Sequence, residues 1–253
     1  MIELETKTIN CQKHGDIEVR FLKGHSHYNH KCTYCREEEE FANDKKQEEV
    51  NDAIKRKHQQ ERIAKNFQSA LIPLRFQQYT FDNFLEQTKQ DIVNKQTMLD
   101  YAVNFENNLK NGISAILSGS IGTGKTHLSC AVANYIIKNL DKTAVFLNTI
   151  DVFAKIKATY TRNSEITEIE AINQFNDIDL LILDEFGVQH GTDTEKMIFF
   201  RIINKRYENL KPTILISNLS VAELKKIDER VFDRLKHNGI LLVFAGESKR
   251  KPK

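Results

Sequence analysis

The spacing of residues 119–126 is that of a loop that cradles phosphate groups. Its glycines let the backbone turn so that successive N–H groups converge on an anion, while Lys125 supplies a positive charge and Thr126 a hydroxyl for Mg²⁺. A strand-like run precedes the loop and a helical pattern follows it, as the motif requires. A tight glycine turn without a ligand is the alternative, but the full pattern predicts that the chain binds ATP or another nucleoside triphosphate. The expected contact residues are Gly119, Ser120, Ile121, Gly122, Thr123, Gly124, Lys125 and Thr126.

Two adjacent carboxylates, Asp184 and Glu185, follow a run of four apolar residues. As a buried strand, this run would hold Asp184 at the carboxyl edge of a sheet, where it can bind Mg²⁺ through water, next to Thr126. Glu185 is then the expected base for the attacking water. Asn218 ends another apolar run and could hydrogen-bond that water or the γ-phosphate. An ordinary strand followed by an acidic turn is the alternative, but with the phosphate loop the pattern favours a hydrolytic site.

A second kind of chemistry is indicated by the cysteines near the N-terminus. Three of the four cysteines lie in the first 35 residues, and Cys11 with His14 and Cys32 with Cys35 form two pairs with the spacing of a zinc knuckle. We rank these four residues first as zinc ligands. His25, His27 and His30 are competitors for the fourth position, and a metal-free tail is the other alternative. The fourth cysteine, Cys130, follows the phosphate loop and is expected to be a small buried residue.

Composition and charge limit the classes of protein to consider. The 253 residues include 37 Lys and Arg against 35 Asp and Glu, so the overall charge predicts no partner. The N-terminus lacks a signal-peptide pattern and no stretch approaches a membrane span, so we expect a soluble, cytoplasmic protein. The expected domains are a zinc module at 1–40, a charged linker at 41–75 and an ATPase domain at 76–253. The linker composition suits a long solvated helix or a partly disordered segment, and Pro73 would end it.

From residue 76 onward, strand and helix patterns alternate, which predicts an α/β fold with a parallel sheet flanked by helices. Thr192 with Glu195 and Ser220 with Glu223 have capping-box spacing and mark the starts of two helices. In the N-terminal module, residues 17–22 alternate as a short strand. An aromatic cluster precedes the sheet; core packing is its default interpretation, and bordering the adenine is the alternative. The cluster comprises Phe76, Tyr79, Phe81 and Phe84.

Arg230 and Arg234 lie four apart, on one face of a predicted helix. Arginine suits phosphoryl transfer because its planar fork binds phosphate oxygens in two places. Two arginines alone on a helix are usually a solvated face. The basic and aromatic mixture on the helix after the second sheet strand is a candidate for single-strand contact, although solvated lysines and a packed tyrosine explain it equally well. Its members are Lys155, Lys157, Tyr160 and Arg162.

Several motifs together resemble the DnaC/DnaI-type replicative helicase loaders of bacteria and phages, which are AAA+ ATPases related to IstB. They are the phosphate loop followed by His127 and Leu128, the run at 184–189, Ser217 with Asn218, and the segment 229–235. The resemblance covers residue 76 to the C-terminus. An N-terminal cysteine-rich module on such an ATPase is similar to the DnaI branch.

The resemblance implies a loader that binds a DnaB-type helicase through its N-terminal region, self-associates through its ATPase domain and helps deliver the helicase onto single-stranded DNA. It implies that Asn218 is sensor 1 and that Arg234, with Arg230 beside it, acts in trans on a neighbour's ATP. Arg250 could stand in for a second sensor arginine. The few residues after the last strand leave little or no room for a C-terminal lid, so ATP hydrolysis is expected to be weak without a partner or single-stranded DNA.

Three other functions share part of these features. An IstB-like transposition helper would share the ATPase motifs but is not expected to carry the cysteine module. A small-molecule kinase would share only the phosphate loop and would need a lid over its acceptor. A nucleotide-switch adaptor that barely hydrolyses ATP would retain Glu185, so it is the hardest of the three to distinguish from a loader by sequence.

Overall fold

The structure is a computed structural model that describes residues 3–24, 32–187 and 192–250. Contacts divide the chain into two compact units, Met1–Glu61 and Arg62–Lys253. The boundaries at residues 40 and 75 stay predictions. None of the described helices is long and apolar enough to cross a membrane.

The first unit begins with an antiparallel hairpin of β1 (Leu4–Cys11) and β2 (Gly15–Leu22), in which Cys11 pairs with Gly15. The sequence predicted only β2. The first strand alternates threonines rather than apolar residues, and a strand with neither face buried gives no hydrophobic period to detect. Gly15 has a φ of 75°, a left-handed conformation that glycine adopts without a steric penalty.

Helix α1 (Thr33–Ser69) follows and resolves the open choice for the charged segment in favour of a helix. None of its residues is buried, as its composition predicts. The helix ends four residues before Pro73, in agreement with the predicted end of the segment.

The second unit contains a five-stranded parallel sheet with the strand order β4-β5-β6-β3-β7, which confirms the predicted α/β fold. Its strands are β3 (Ala115–Gly119), β4 (Ala144–Asn148), β5 (Leu180–Asp184), β6 (Thr213–Ser217) and β7 (Ile240–Phe244). Its helices are α2 (Lys89–Val103), α3 (Phe105–Lys110), α4 (Lys125–Asn139), α5 (Thr149–Ala158), α6 (Glu168–Asn176), α7 (Asp193–Glu208), α8 (Val221–Ile227) and α9 (Glu229–Lys236), with a short 3₁₀ turn at Leu74–Phe76.

Helices cover both faces of this sheet, so its central strands are apolar on both sides. On one face, Leu117 and Ile182 pack with residues of α2, α3 and α4. On the other, Ile116 and Leu183 pack with residues of α5, α6, α7, α8 and α9. Both predicted capping boxes are present, at Thr192 and Ser220, and they begin α7 and α8.

The segment just before residue 76 contributes to the core of the second unit. Ala70 and Ile72 are buried, and the backbone N–H of Phe146 in β4 donates to the carbonyl oxygen of Ala70 over 2.9 Å. At the other end, none of the described residues that follow β7 is helical.

Arg206 of α7 is a charged residue in the interior that the sequence did not reveal. Its guanidinium donates to the carbonyl oxygens of Phe175, Ile178, Asp179 and Pro212 and to the hydroxyl of Thr213. These carbonyls belong to the end of α6 and to the chain just before β5 and β6, and the oxygen of Pro212 also accepts the Leu181 N–H of β5 at 3.3 Å. The side chain therefore fixes the entry to two central strands.

Replacing Arg206 with methionine is expected to destabilise the protein by roughly 3–5 kcal/mol, because several buried carbonyls lose their donor. The measurement is the free energy of unfolding in urea. Arg201 lies on the same helix and makes an exposed ion pair with Glu168 at 2.6 Å, so Arg201→Met is the matched control. The control is expected to cost less than about 1 kcal/mol. Equal losses in the two variants would show that Arg206 has no special structural role.

Candidate functional site

The phosphate loop connects the end of β3 to the first residue of α4, as predicted. Gly119, Gly122 and Gly124 have φ values of 139°, 82° and 102°, which side chains rarely tolerate. A Cβ atom on Gly119 would lie 1.9 Å from the carbonyl oxygen of Phe244, and one on Gly124 would lie 2.5 Å from the Phe84 ring. The loop therefore needs glycine both for its turns and for its close approach to other elements.

Lys125 is the first residue of α4, and its side chain turns back towards the loop. The side chain is buried, and its Nζ donates to the carbonyl oxygens of Gly119 and Ser120, each at 2.6 Å. Burial lowers the pKa of the Lys125 ammonium to about 8. An anion held here would gain both this positive charge and the N-terminus of α4.

Thr126 and Asp184 meet at the carboxyl edge of the sheet. The Thr126 hydroxyl donates to Asp184 Oδ2 over 2.9 Å. Burial raises the pKa of Asp184, which is the electrostatic effect that a bound cation would reverse. The hydroxyl and carboxylate are oxygen donors at contact distance beside the loop, so this pair fits the donor set that Mg²⁺ uses in phosphoryl-transfer sites.

Glu185 follows in a left-handed conformation with a φ of 60°. Its backbone N–H donates to Asp184 Oδ1 over 2.7 Å, and its carbonyl oxygen accepts a hydrogen bond from the Thr149 hydroxyl at 3.2 Å. The Glu185 carboxylate accepts a hydrogen bond from the amide of Asn148. The backbone around Glu185 is therefore held from two sides, and its carboxylate is engaged by a neighbouring strand.

Asn148 is a site residue that the sequence did not single out. It ends β4 directly beside Asp184, and its Oδ1 accepts the Ile150 N–H at the start of α5 over 3.0 Å. The available signal was a polar amide closing an apolar strand, the same signal that drew attention to Asn218. Using it required knowing that β4 neighbours β5.

These residues line one cleft of about 1200 Å³. Of the predicted site residues, the cleft is lined by Ile121, Gly122, Gly124, Lys125, Thr126, Asp184, Glu185, Asn218 and Arg250. Thr123 is instead buried and donates to the carbonyl oxygen of Ser120 over 2.8 Å, which supports the loop from beneath.

Part of the cleft wall is aromatic. Tyr79 stacks on His127 with ring centroids 4.2 Å apart, and Phe76 and Phe84 line the same region. Burial lowers the pKa of His127, whose Nε2 lies 2.9 Å from the carbonyl oxygen of Thr80. Flat, largely uncharged walls of this kind suit a planar base. Phe81 and Phe84 both belong to the core, and of these two only Phe84 also lines the cleft.

Arg230 and Arg234 lie outside this cleft. The Arg230 guanidinium pairs with Asp228 at 3.0 Å and lies 4.4 Å from the ring centroid of Phe200. Arg234 donates from Nε to Asn204 Oδ1 over 3.0 Å. Both arginines lie on α9 against α7, so within one chain the structure does not bring them to the phosphate loop.

The four first-ranked zinc ligands converge in the N-terminal unit. Their ligand atoms all lie within 4.8 Å of one another. Cys11 Sγ is 3.6 Å from Cys35 Sγ, and His14 Nδ1 is 3.7, 3.5 and 3.4 Å from the sulfur atoms of Cys11, Cys32 and Cys35. A tetrahedral zinc ion would place sulfur atoms about 3.8 Å apart and sulfur and nitrogen about 3.5 Å apart. These four separations fit a tetrahedral zinc ion. His25, His27 and His30 lie outside the described residues.

Some of the candidate side chains for single-strand contact already interact with other residues of the chain. Tyr160 is 53% exposed and does not pack inside, whereas Lys157 pairs with Glu195 at 2.8 Å. Lys155 Nζ lies 5.7 Å from the Phe175 ring centroid. All four residues of the group are exposed, as a single-strand contact would require.

ATP affinity is expected to fall as the pH rises above about 8. Phosphate binding needs the Lys125 ammonium, whose pKa burial lowers to about 8 from 10.5. A bound triphosphate favours the charged form, so binding above this pKa takes up a proton and weakens by about tenfold per pH unit. Calorimetric titration of Mg²⁺–ATP at pH 7, 8 and 9, in buffers of different ionisation enthalpy, would measure both the affinity and the number of protons taken up.

The control is Lys125→Arg, whose guanidinium stays charged throughout this range. This variant is expected to bind ATP more weakly than wild type at pH 7, but its affinity is not expected to fall further as the pH rises. An unchanged wild-type affinity from pH 7 to 9 would contradict the role given to the Lys125 charge.

Comparison with protein families gives a match to the family model described as IstB-like ATP binding protein, over residues 30–253. The replicative helicase loader DnaC of Buchnera aphidicola subsp. Baizongia pistaciae (strain Bp) is 38% identical over 154 residues, 60% of this chain and 61% of that protein. The match thus spans less than two thirds of that relative's length. The replicative helicase loader DnaC of Buchnera aphidicola subsp. Acyrthosiphon pisum (strain APS) is 34% identical over 175 residues, 68% of this chain and 69% of that protein.

The fold is similar to a crystal structure of the DnaC helicase loader, with a TM-score of 0.62 and 24% identity. The similarity covers 68% of this chain and 100% of that chain. At this identity the likeness concerns the fold, and it agrees with a parallel sheet between two layers of helices.

Proposed function

Because this chain belongs to the family of IstB-like ATP-binding proteins and is related to the DnaC loaders, we propose that it is an ATP-dependent loader of a replicative helicase. It binds a DnaB-type helicase and helps deliver it onto single-stranded DNA. The observation that carries the proposal is the contact of Thr126 with Asp184, beside Glu185, in a chain similar to proteins named replicative helicase loaders.

The cleft supports ATP hydrolysis through five of its own side chains. Lys125 binds the phosphates, and Thr126 and Asp184 would hold Mg²⁺, which when bound neutralises phosphate charge. Glu185 accepts the proton of the attacking water or orients that water. Asn218 reaches the same cleft from the end of β6 and is proposed as sensor 1.

The contact between Asn148 and Glu185 supports the proposal that hydrolysis is weak in the isolated protein. A carboxylate oxygen that already accepts a hydrogen bond from an amide has one lone pair fewer for the attacking water. We propose that hydrolysis rises when a partner or single-stranded DNA releases Glu185 from Asn148.

The arginines on α9 support a shared ATPase site. Arg234 and Arg230 are held against aromatic rings of α7 and are partly exposed, so an adjacent subunit's ATP could be reached. We therefore propose self-association through the ATPase unit, with Arg234 acting in trans. Single-strand contact through Lys155, Lys157, Tyr160 and Arg162 is proposed on their exposure and composition.

The N-terminal unit is proposed to be a zinc module that binds the helicase. A short hairpin and an exposed helix have little core, so zinc held by Cys11, His14, Cys32 and Cys35 would supply much of the unit's folding energy. This module also weighs against the IstB-like transposition helper, which the name of the family model favours.

Co-purification of the full chain with the host's DnaB-type helicase tests the proposal. Wild type is expected to retain the helicase, and His14→Ala to lose it, because the module no longer folds. Lys125→Ala is expected to retain it while losing any effect of ATP on the complex. If wild-type protein does not co-purify with the helicase, with or without ATP, the loader function is wrong and the transposition helper becomes the better interpretation.

A further inference from the structure

Residues 246–250, here called the C-terminal strap, lie against the phosphate loop. The backbone N–H of Lys249 donates to the carbonyl oxygen of Gly122 over 2.9 Å. A Cβ atom on Gly122 would lie 2.1 Å from Ser248 Oγ, so the strap and the loop are in direct contact. Arg250, the next residue, lines the nucleotide cleft.

Lys249 also lines the cleft, and its side chain is held in a nearly closed site. Its side chain is 11% exposed, and its Nζ lies 2.6 Å from Asp91 Oδ1, on a carboxylate that is 4% exposed. The same ammonium lies 4.0 Å from the centroid of the Phe84 ring. A lysine buried between a carboxylate and an aromatic face has two favourable interactions for its charge, both little screened by solvent.

Asp91 is fixed without help from the strap. Its Oδ2 accepts the backbone N–H groups of Gln87 and Thr88 at 3.0 and 2.9 Å, as part of the capping box that begins α2. Burial alone would raise the pKa of Asp91, but Lys249 and these N–H groups outweigh burial and hold the pKa below its usual range. The carboxylate is therefore a rigid, charged anchor on a helix.

Phe84 connects this anchor to the phosphate loop. Its ring contacts Lys249 on one side and closely approaches Gly124 on another, where a Cβ atom would lie 2.5 Å from the ring. The strap, the ring and the loop are thus in mutual contact, and a displaced Lys249 would leave the ring and the loop without this support.

We propose that Lys249 is a positioning residue that fastens the C-terminal strap to Asp91 and so holds Arg250 at the phosphates of bound ATP. A terminal segment without helix or strand would otherwise have to be ordered when ATP binds, and that conformational entropy would reduce affinity. The inference rests on the proposed function, because it requires ATP in this cleft.

The first test measures the strap without nucleotide. Hydrogen exchange of the amides at 247–250 is expected to be at least about tenfold faster in Lys249→Met than in wild type, because the segment opens more often. Lys249→Arg keeps the charge and is expected to exchange nearly as wild type. Asp91→Asn, which removes the charge and keeps a capping oxygen, is expected to follow Lys249→Met. Unchanged exchange in Lys249→Met would overturn the fastening role, whatever the protein does with ATP.

The second test asks whether Lys249 acts through Arg250, using Mg²⁺–ATP affinity by calorimetry in a double-mutant cycle. Lys249→Met and Arg250→Ala are each expected to weaken binding by about tenfold, and the double variant to bind no worse than Arg250→Ala alone. Additive losses would overturn the positioning role, as would an unchanged affinity in Lys249→Met. Wild type that binds no ATP would instead refute the proposed function, and the exchange result would still stand on its own.

Discussion

Replacing Glu185 with glutamine is expected to lower ATP hydrolysis by about 10²–10³-fold while Mg²⁺–ATP binding stays within about threefold. The amide keeps the size of the side chain but cannot accept a proton from water. Lys125, Thr126 and Asp184, which bind the phosphates and the cation, are untouched. Phosphate release should be measured with helicase and single-stranded DNA present, and binding by calorimetry.

Asp151→Asn is the matched control for Glu185→Gln. Asp151 is an exposed carboxylate at the same cleft, and its loss changes the local charge equally. Hydrolysis by Asp151→Asn is expected to stay within about threefold of wild type. If Glu185→Gln hydrolyses ATP as wild type does, or if both variants lose activity equally, Glu185 is not the base.

Removing zinc is expected to unfold the N-terminal unit and leave the ATPase unit folded. Structural zinc sites contribute on the order of 10 kcal/mol, far more than a two-stranded hairpin supplies alone. Purified wild type is expected to contain about one zinc per chain and Cys32→Ser close to none. Elemental analysis gives the metal content, and limited proteolysis reports which unit has opened.

Cys130→Ala is the control for this prediction. Cys130 is buried in the core of the second unit and is not one of the four clustered residues, so its removal should leave the zinc content unchanged. Cys32→Ser protein that retains full zinc, or wild type that stays metal-free after growth with zinc, would contradict the proposed site.

Site residues could be predicted from the sequence where one short segment supplies both the local geometry and the functional side chains. The phosphate loop contains its own glycines and its own lysine, so both the turn and its ligand can be read from one short segment. Asp184 could be placed beside Thr126 because the ends of parallel strands meet at one edge. The four atoms of the zinc cluster also came together as the two pairs predicted.

The rest depended on which distant segments become neighbours. Asn148 is only one polar residue among many until β4 is placed beside β5. Arg206 shares the apolar face of α7 with Phe199 and Ile202, but only the fold supplies the carbonyl oxygens that accept from its guanidinium. Lys249 lies in a basic tail that reads as solvated, and only the fold brings Asp91 to it. The periodic spacing of apolar residues within one segment gives no information about such long-range contacts.

The most direct test of the loader function is the unwinding of a short duplex annealed to closed circular single-stranded DNA by the host's DnaB-type helicase. A closed circle requires the helicase ring to be opened or assembled around the strand. The account predicts that wild-type protein with ATP stimulates unwinding by about tenfold or more, and that Lys125→Ala and Cys32→Ser do not. Equal unwinding with and without the protein, at concentrations where the two proteins co-purify, would contradict it.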